Sequence, residues 1–591
     1  MKNEQVIDPE VDAGRRALLK LAGSAPAIGL IAAPRTSGAV VPEMPPSPPT
    51  TPWLEELPQV VALALSRGEL TPAPRGVPNG ESGECGRDKH QRWDEFFEQP
   101  ELPPGKADLY ELRAKEVADW VFHPAYPPQR VWGYEGNTTQ GYQLNPTIIA
   151  RYGQPIICRL FNDLPQDHVG FGTPEISMHL HNLHAPSESD GFPGDYFSAS
   201  KAGPTLSAPG QFSDYFYPNV YAGLDQYGGI GDPREALGTL WYHDHTLDFT
   251  ASNASRGLAG FYLLHDELDS GDEQDPNPAA LKLPSHPYDY PLLFQDKRFD
   301  LSGTHYFDAM DPEGTFGDKI TVNGKIEPVL RVARRRYRLR LLNAGPTRFY
   351  EFYLVTASDA VQSFSHIAND GNLLPAPLTR DRVRIAPAER ADLVVNFANY
   401  PRGTVLYLVN RLRQESTRGP KDVRKPGTRV LKIVVDRDPP SPDLSRVPPA
   451  LRPLPVLDPE DIAAAPIRRW EFARKGGLWT VNDGLVNVKS ARATVRRGTA
   501  EIWELVNPSG GWSHPIHVHF EEGRILSKTV RGVPATVPLH EQGRKDVFVL
   551  GPYTTLRVFL RFRDFVGKYV MHCHNLPHED HAMMVRWDIK D

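Results

Sequence analysis

From Leu109 onward the chain alternates short apolar runs with Gly, Pro and Asn, the punctuation of strands joined by turns. This pattern predicts an all-β protein of β-sandwich type. One phrase recurs. Tyr152-Gly153-Gln154-Pro155-Ile156-Ile157-Cys158-Arg159-Leu160-Phe161-Asn162 resembles Arg335-Arg336-Tyr337-Arg338-Leu339-Arg340-Leu341-Leu342-Asn343. Both resemble Arg497-Gly498-Thr499-Ala500-Glu501-Ile502-Trp503-Glu504-Leu505-Val506-Asn507. The closing asparagines are spaced by 181 and then 164 residues, which implies three copies of one domain. The alternating arginines of residues 334–340 read as a strand with one solvated face. Two Pro-bearing stretches, 266–284 and 436–455, read as linkers. They set domain boundaries at 107–266, 285–436 and 456–591.

The length of 591 residues accommodates three or four domains. A formal net charge of −7 with 24% charged residues gives neither a basic field for nucleic acid nor an acidic tail. The 58 prolines and 48 glycines suit a turn-rich β protein. After the N-terminus no run approaches the length of a membrane-spanning helix, so no membrane span is expected. Residues 1–39 read as a twin-arginine export signal: Arg15-Arg16 precede a mild apolar run from Leu21 to Ala33, and Ser37-Gly38-Ala39 offers a cleavage site. That implies a bacterial protein delivered to the periplasm or cell surface by the twin-arginine export machinery. Residues 40–106 open with a Pro-rich spacer and form an extension held by contact. Three cysteines occur. Cys85 and Cys158 are open to two readings, one disulfide or two free thiols.

Candidate chemistry concentrates near the C-terminus, in His572-Cys573-His574, followed by His578 and Met583. In an extended chain successive side chains point to opposite faces. His572 and His574 therefore share one face and Cys573 takes the other. Cys, His and a distant Met make the ligand set of a blue-copper electron-transfer site. The flanking histidines, aimed the other way, require a second metal centre. Three more clusters accompany the tripeptide: His179-Leu180-His181, His243-Asp244-His245 and His514-Pro515-Ile516-His517-Val518-His519. Together with His581, which belongs to the C-terminal run, the four clusters hold eleven of the twenty histidines. A zinc hydrolase has no need of a Cys with an axial Met.

These four motifs resemble those of the multicopper oxidases, and most closely the branch of bilirubin oxidases and bacterial spore-coat laccases. The resemblance spans roughly residues 107–591. It implies three cupredoxin-like Greek-key β-barrel domains and four copper ions. Type 1 copper would fall to His514, Cys573 and His578 with Met583 as weak axial ligand. Type 2 copper would fall to His179 and His517, and the type 3 pair to His181, His243, His245, His519, His572 and His574. The middle domain carries no His-x-His, so the trinuclear cluster is expected where domains one and three meet, with the middle domain shaping the substrate surface. The family admits electrons through type 1 imidazole edges near the surface. Trp512 matches the Trp-x-His of the bilirubin oxidases, with core packing as its alternative role. Asp190 and Glu579 match positions that deliver protons in the spore-coat laccases. Their alternative is to anchor ligand histidines. His184 and His581 fall off the ligand pattern, and Pro577 is placed to stiffen the loop between His574 and His578.

The function implied is oxidation of a small-molecule reducing substrate by O2 in a monomeric enzyme. Phenols, aminophenols and bilirubin-like tetrapyrroles are the expected donors. Mn(II) or Cu(I) oxidation and a non-catalytic exported envelope scaffold are the alternatives. Seven methionines, four of them in the signal or at the copper motifs, argue against Cu(I). Full occupancy of the ligand positions argues against the scaffold. The stretch 195–240 reads as a loop-bearing insertion.

Overall fold

The computed structural model describes residues 44–59, 61–65, 83–97 and 108–591. The export signal expected at residues 1–39 lies outside the described residues. Strands dominate, in six sheets that fall into three pairs. Residues 108–265 form a five-stranded and a four-stranded sheet, 289–437 an eight- and a six-stranded sheet, and 467–590 a seven- and a five-stranded sheet. Among the described strands, ladder pairing stays within each group, and each group encloses its own apolar core.

The internal repeat has a structural cause. In each group the strand that carries the repeated phrase runs parallel to the opening strand. Ile156–Asn162 pairs with Asp108–Trp120, Arg336–Asn343 with Asp289–Phe299, and Thr499–Val506 with Ile467–Lys475. Each closing strand likewise pairs in parallel with a short earlier one. The three asparagines behave alike. Each side-chain oxygen accepts the N–H two residues on, at Leu164, Gly345 and Ser509, and each amide donates to backbone carbonyls of an adjoining loop. An Asx turn of this kind ends the strand and satisfies buried carbonyls at once, which is why the phrase closes on Asn three times.

The alternating arginines are not solvated as expected. Arg335, Arg338 and Arg340 are buried. Arg335 reaches Glu273 and Asp443, Arg338 reaches Asp269 and Asp392, and Arg340 reaches Asp289. Most of these acids lie in or beside the two stretches that the sequence marks as linkers. A buried guanidinium requires charge partners, and the linkers supply them. The extension is stitched to all three groups. Leu57 N–H donates to Val329 O (2.7 Å), Cys85 N–H to Phe212 O (2.8 Å), and Gln91 Nε2 to Val566 O (2.9 Å). Cys85 and Cys158 are free, buried thiols.

The 195–240 stretch docks the first group on the third. Asp564 accepts from Gly223 N–H at 2.6 Å, and buried Glu235 meets Arg544 (3.1 Å), Arg563 (2.6 Å) and Arg561. Burial alone would raise the Glu235 pKa, but the three arginines bring it down from 4.5 to about 2. A depressed carboxylate pKa stabilises the fold above its ordinary value, and that stability is lost as pH falls through the folded value. Glu235→Gln should therefore destabilise the protein at pH 7 by on the order of 3–5 kcal/mol. Its deficit against wild type should shrink as pH falls from about 4.5 to about 2. Calorimetric unfolding across that range checks this, and a deficit independent of pH would refute it.

Candidate metal centres

Backbone pairing sets the faces of the histidine pairs before any side chain packs. Met178–His181 runs antiparallel to Thr239–Asp244 with His179 opposite His243. His514–Val518 runs antiparallel to Gly567–Cys573 with His517 opposite His572 and Ile516 opposite Cys573. Alternation along these strands sends Cys573 and His514 to one side and His517, His519 and His572 to the other.

The first donor set is His514, Cys573 and His578. Cys573 Sγ lies 3.5 Å from His514 Nδ1 and 3.7 Å from His578 Nδ1, and the two nitrogens are 3.3 Å apart. Donors about 2.0–2.3 Å from a single ion would sit roughly 3.5–3.7 Å from one another in a trigonal arrangement, so the three fit one ion. Met583 is tied into the same loop: Cys573 N–H donates to Met583 O (3.0 Å) and Met583 N–H to His578 O (2.9 Å). Burial pushes the Cys573 thiol well above its ordinary pKa and lowers that of His514 to about 3. A dry thiol beside unprotonated imidazoles favours ionisation only when a cation joins them.

The imidazole edges that the resemblance places near the surface are not solvent-exposed here. His514 and His578 are buried, and Trp479 stacks on His578 with centroids 3.8 Å apart and planes at 30°. Trp512 stands edge-on to His578 at 5.1 Å, and both indoles belong to the core of the third group, so Trp512 packs in the core beside His578. Trp479 was not singled out from the sequence, because one tryptophan in a short apolar strand reads as core. Its Nε1 donates to Pro312 O (2.6 Å), and Arg474, paired with Glu313 at 2.6 Å, lies over its face. Pro577 opens a helical turn, Leu576–Asp580, where its missing N–H costs nothing. Gly314 (φ +88°) packs so closely that an added Cβ would fall 2.4 Å from Pro577 Cγ.

The second set gathers His179, His181, His243 and His245 from the first group with His517, His519, His572 and His574 from the third. All eight are buried. Their Nε2 atoms converge: His179 to His517 at 3.3 Å, His245 to His572 at 3.1 Å, and His519 to His572 at 3.2 Å. Burial lowers the pKa of His243 and His245 to about 3. His181 Nδ1, His243 Nε2 and both nitrogens of His574 have no hydrogen-bond partner. Buried polar atoms are normally satisfied. Unprotonated nitrogens facing one another without partners fit metal ions.

The rings are held from behind. His517 Nδ1 donates to Asp546 O (3.0 Å), His243 Nδ1 to Asp244 O (2.8 Å), and His179 Nδ1 to Asp190 O. Asp190 Oδ2 accepts from His519 Nδ1 at 2.7 Å. Glu579 lies 2.7 Å from His572 Nδ1 and 3.4 Å from His245 Nδ1. Both predicted carboxylates thus touch the set. Burial raises the pKa of Asp190; at Glu579 burial acts the same way, but His572 and His245 outweigh it. A third carboxylate, Asp546, has Oδ2 2.8 Å from His181 Nε2. No spacing in the sequence points to it. His184 is held by Asp564 (2.7 Å) and His581 reaches Ala309 O (3.2 Å).

A Cys–His–His set joined by one tripeptide to an eight-histidine set defines a copper redox protein. Comparison with known proteins agrees. The multicopper oxidase family model matches residues 458–591. A bilirubin oxidase of Albifimbria verrucaria is 32% identical over 486 residues, covering 81% of this chain and 76% of that protein. A laccase of Bacillus subtilis is 31% identical over 529 residues, covering 82% and 94%. A solved laccase from Pediococcus acidilactici shares the fold, with a TM-score of 0.67 at 22% identity over 93% of this chain and 95% of that one. The chain belongs to the multicopper oxidase family. It is a copper-dependent oxidoreductase with O2 as electron acceptor, built from three cupredoxin-like domains.

Cys573→Ser should abolish the intense visible absorption of a thiolate–copper bond and reduce oxygen uptake to that of metal-free protein. Copper analysis should show loss confined to the first set. Retained blue colour in the variant would refute the assignment.

Proposed function

We propose that the protein is a laccase or bilirubin oxidase-like enzyme with four copper ions that oxidises phenolic, aminophenolic or bilirubin-like donors. In this reading His514, Cys573 and His578, with Met583 axial, hold the type 1 ion. His179 and His517 hold the type 2 ion. His181, His243, His245, His519, His572 and His574 hold the type 3 pair. Bound copper would supply one-electron oxidation at the first set and four-electron reduction of dioxygen to two waters at the second. The observation that carries the reading is the tripeptide: Cys573 faces the first set while His572 and His574 face the second, so covalent neighbours link them. Trp479 and Trp512 pack against His578 and keep water from it. Asp190, at His519 Nδ1, and Glu579, at His572 Nδ1, orient those rings and are placed to pass protons to the oxygen-reducing set.

Organic donors are favoured over Cu(I) because methionines are scarce at the surface. Among the described residues Met178, Met571, Met583 and Met584 are buried, Met44 is half-buried and Met310 is exposed. We further propose export by the twin-arginine machinery, supported by Arg15-Arg16 before the apolar run, to the periplasm or cell surface, where the enzyme acts as a monomer. Replacing both arginines by lysine should leave the enzyme in the cytoplasm on fractionation.

Oxygen uptake by copper-loaded protein with a phenol, an aminophenol, bilirubin, Mn(II) and Cu(I) tests the substrate class. Uptake on the organic donors, lost in Cys573→Ser, is expected, and uptake restricted to a metal ion would overturn it. Glu579→Gln and Asp190→Asn should each lower kcat by about 10–1,000-fold with type 1 reduction by donor unchanged. Anaerobic stopped-flow bleaching of the blue band separates the two steps.

A further inference from the structure

The middle domain contributes no histidine to either donor set, yet one of its arginines reaches the second. Arg390 opens the strand Arg390–Asn396 and is fully buried. Its guanidinium forks onto Asp546, with Nη1 to Oδ1 at 3.0 Å and Nη2 to Oδ2 at 3.1 Å. Two carbonyls also accept from it: Ala388 O (2.9 Å) and Thr239 O (3.3 Å), the latter at the start of the strand that carries His243. Asp546 in turn sets Oδ2 2.8 Å from His181 Nε2 and offers its carbonyl to His517 Nδ1 at 3.0 Å. The His181 and His517 rings are stacked with centroids 3.7 Å apart.

The chemistry of this chain of contacts is directional. A carboxylate 2.8 Å from Nε2 of His181 favours the tautomer with its proton there, which leaves Nδ1 as the lone-pair nitrogen; neither ring nitrogen has another hydrogen-bond partner. Asp546 performs this only if its own two oxygens are fixed. A lone buried carboxylate is unfavourable, and a bidentate guanidinium is the geometry that both neutralises it and fixes its plane. Neighbouring charges are already committed: Lys545 binds Asp370 (2.8 Å) and Glu389 (2.9 Å), and Asp370 also accepts from Arg390 N–H (3.1 Å). Arg390 is the cation bonded to Asp546 among the described residues.

We propose that Arg390 is a positioning residue of the oxygen-reducing copper site, acting through Asp546 on the imidazoles of His181 and His517. The inference rests on the ligand assignment proposed above. Its consequence is that the ligand-free domain sets the geometry of a metal centre formed between the other two.

The test uses the full-length copper-loaded protein, with Arg390→Met, Arg390→Lys, Asp546→Asn and the double variant. Arg335→Met, which removes another buried arginine of the same domain, serves as control. Copper content, the type 2 electron paramagnetic resonance signal, the blue absorption and the KM for O2 are read together. Arg390→Met should lower copper affinity of the histidine set by about 10–100-fold and alter the type 2 signal, with the blue absorption intact. Lysine should restore part of the loss. Asp546→Asn should reproduce it, and the double variant should be no worse than either single change, since both break one chain of contacts. An unchanged type 2 signal and copper affinity in both Arg390→Met and Asp546→Asn would overturn the proposal, as would an equal loss in Arg335→Met. If Arg390→Met does not fold, the near-isosteric Asp546→Asn carries the test alone. Wild-type protein that binds copper only at Cys573, or none, would instead refute the ligand assignment.

Discussion

Eight imidazoles buried nitrogen to nitrogen are costly to a fold that holds nothing between them. Burial lowers the pKa of His179, His181, His243, His245, His517, His519 and His574, several nitrogens lack partners, and the converging pairs are only 3.1–3.3 Å apart. Neutral imidazole offers one donor and one acceptor, so a cluster this dense leaves lone pairs opposed. Metal ions turn those lone pairs into bonds. The rest of the architecture follows from the need to hold the rings there, and the carboxylates and carbonyls behind them are spent on Nδ1 or Nε2 so that the opposite nitrogen faces inward.

The position of the cluster follows from the repeat. Three copies of one topology provide three equivalent strand ends, and two of them, in the first and third groups, present His-x-His pairs toward each other. A seam between domains suits redox ions because each half folds as an ordinary β-sheet with a few polar residues at its edge. The unfavourable density arises only on docking. The docking is accordingly reinforced by buried charge, including Glu235 with its arginines and Asp564 with the Gly223 loop.

Most of the donor set was legible in the sequence because strand alternation converts a spacing of two into a shared face. His517 and His519 fell together and His514 apart for that reason, as did His572 and His574 against Cys573. The repeat was legible for a similar reason: an Asx turn demands Asn at one point in the strand exit. What the sequence hid is non-local. Asp546 and Arg390 are 156 positions apart and have neither spacing nor motif. The arginines of 334–340 show a period of two whichever way they point, and only the acids of the linkers decide that they point inward. Trp479 is indistinguishable from a core residue until His578 is seen beneath it.

The burial of the first set sharpens what the middle domain is for. A thiol as dry as Cys573 needs water kept away, yet an electron must still reach His578. A stacked indole meets both demands, since it excludes water while leaving a π surface against the imidazole. That indole is fixed by Pro312 and flanked by Glu313, while Gly314 closes on Pro577, all three from one loop of the middle domain. At the other set Arg390 comes from the same domain. Removing the middle domain would therefore do more than shorten a spacer: it would uncover His578 and release Asp546. In this chain, a domain without a ligand histidine governs access at one centre and geometry at the other.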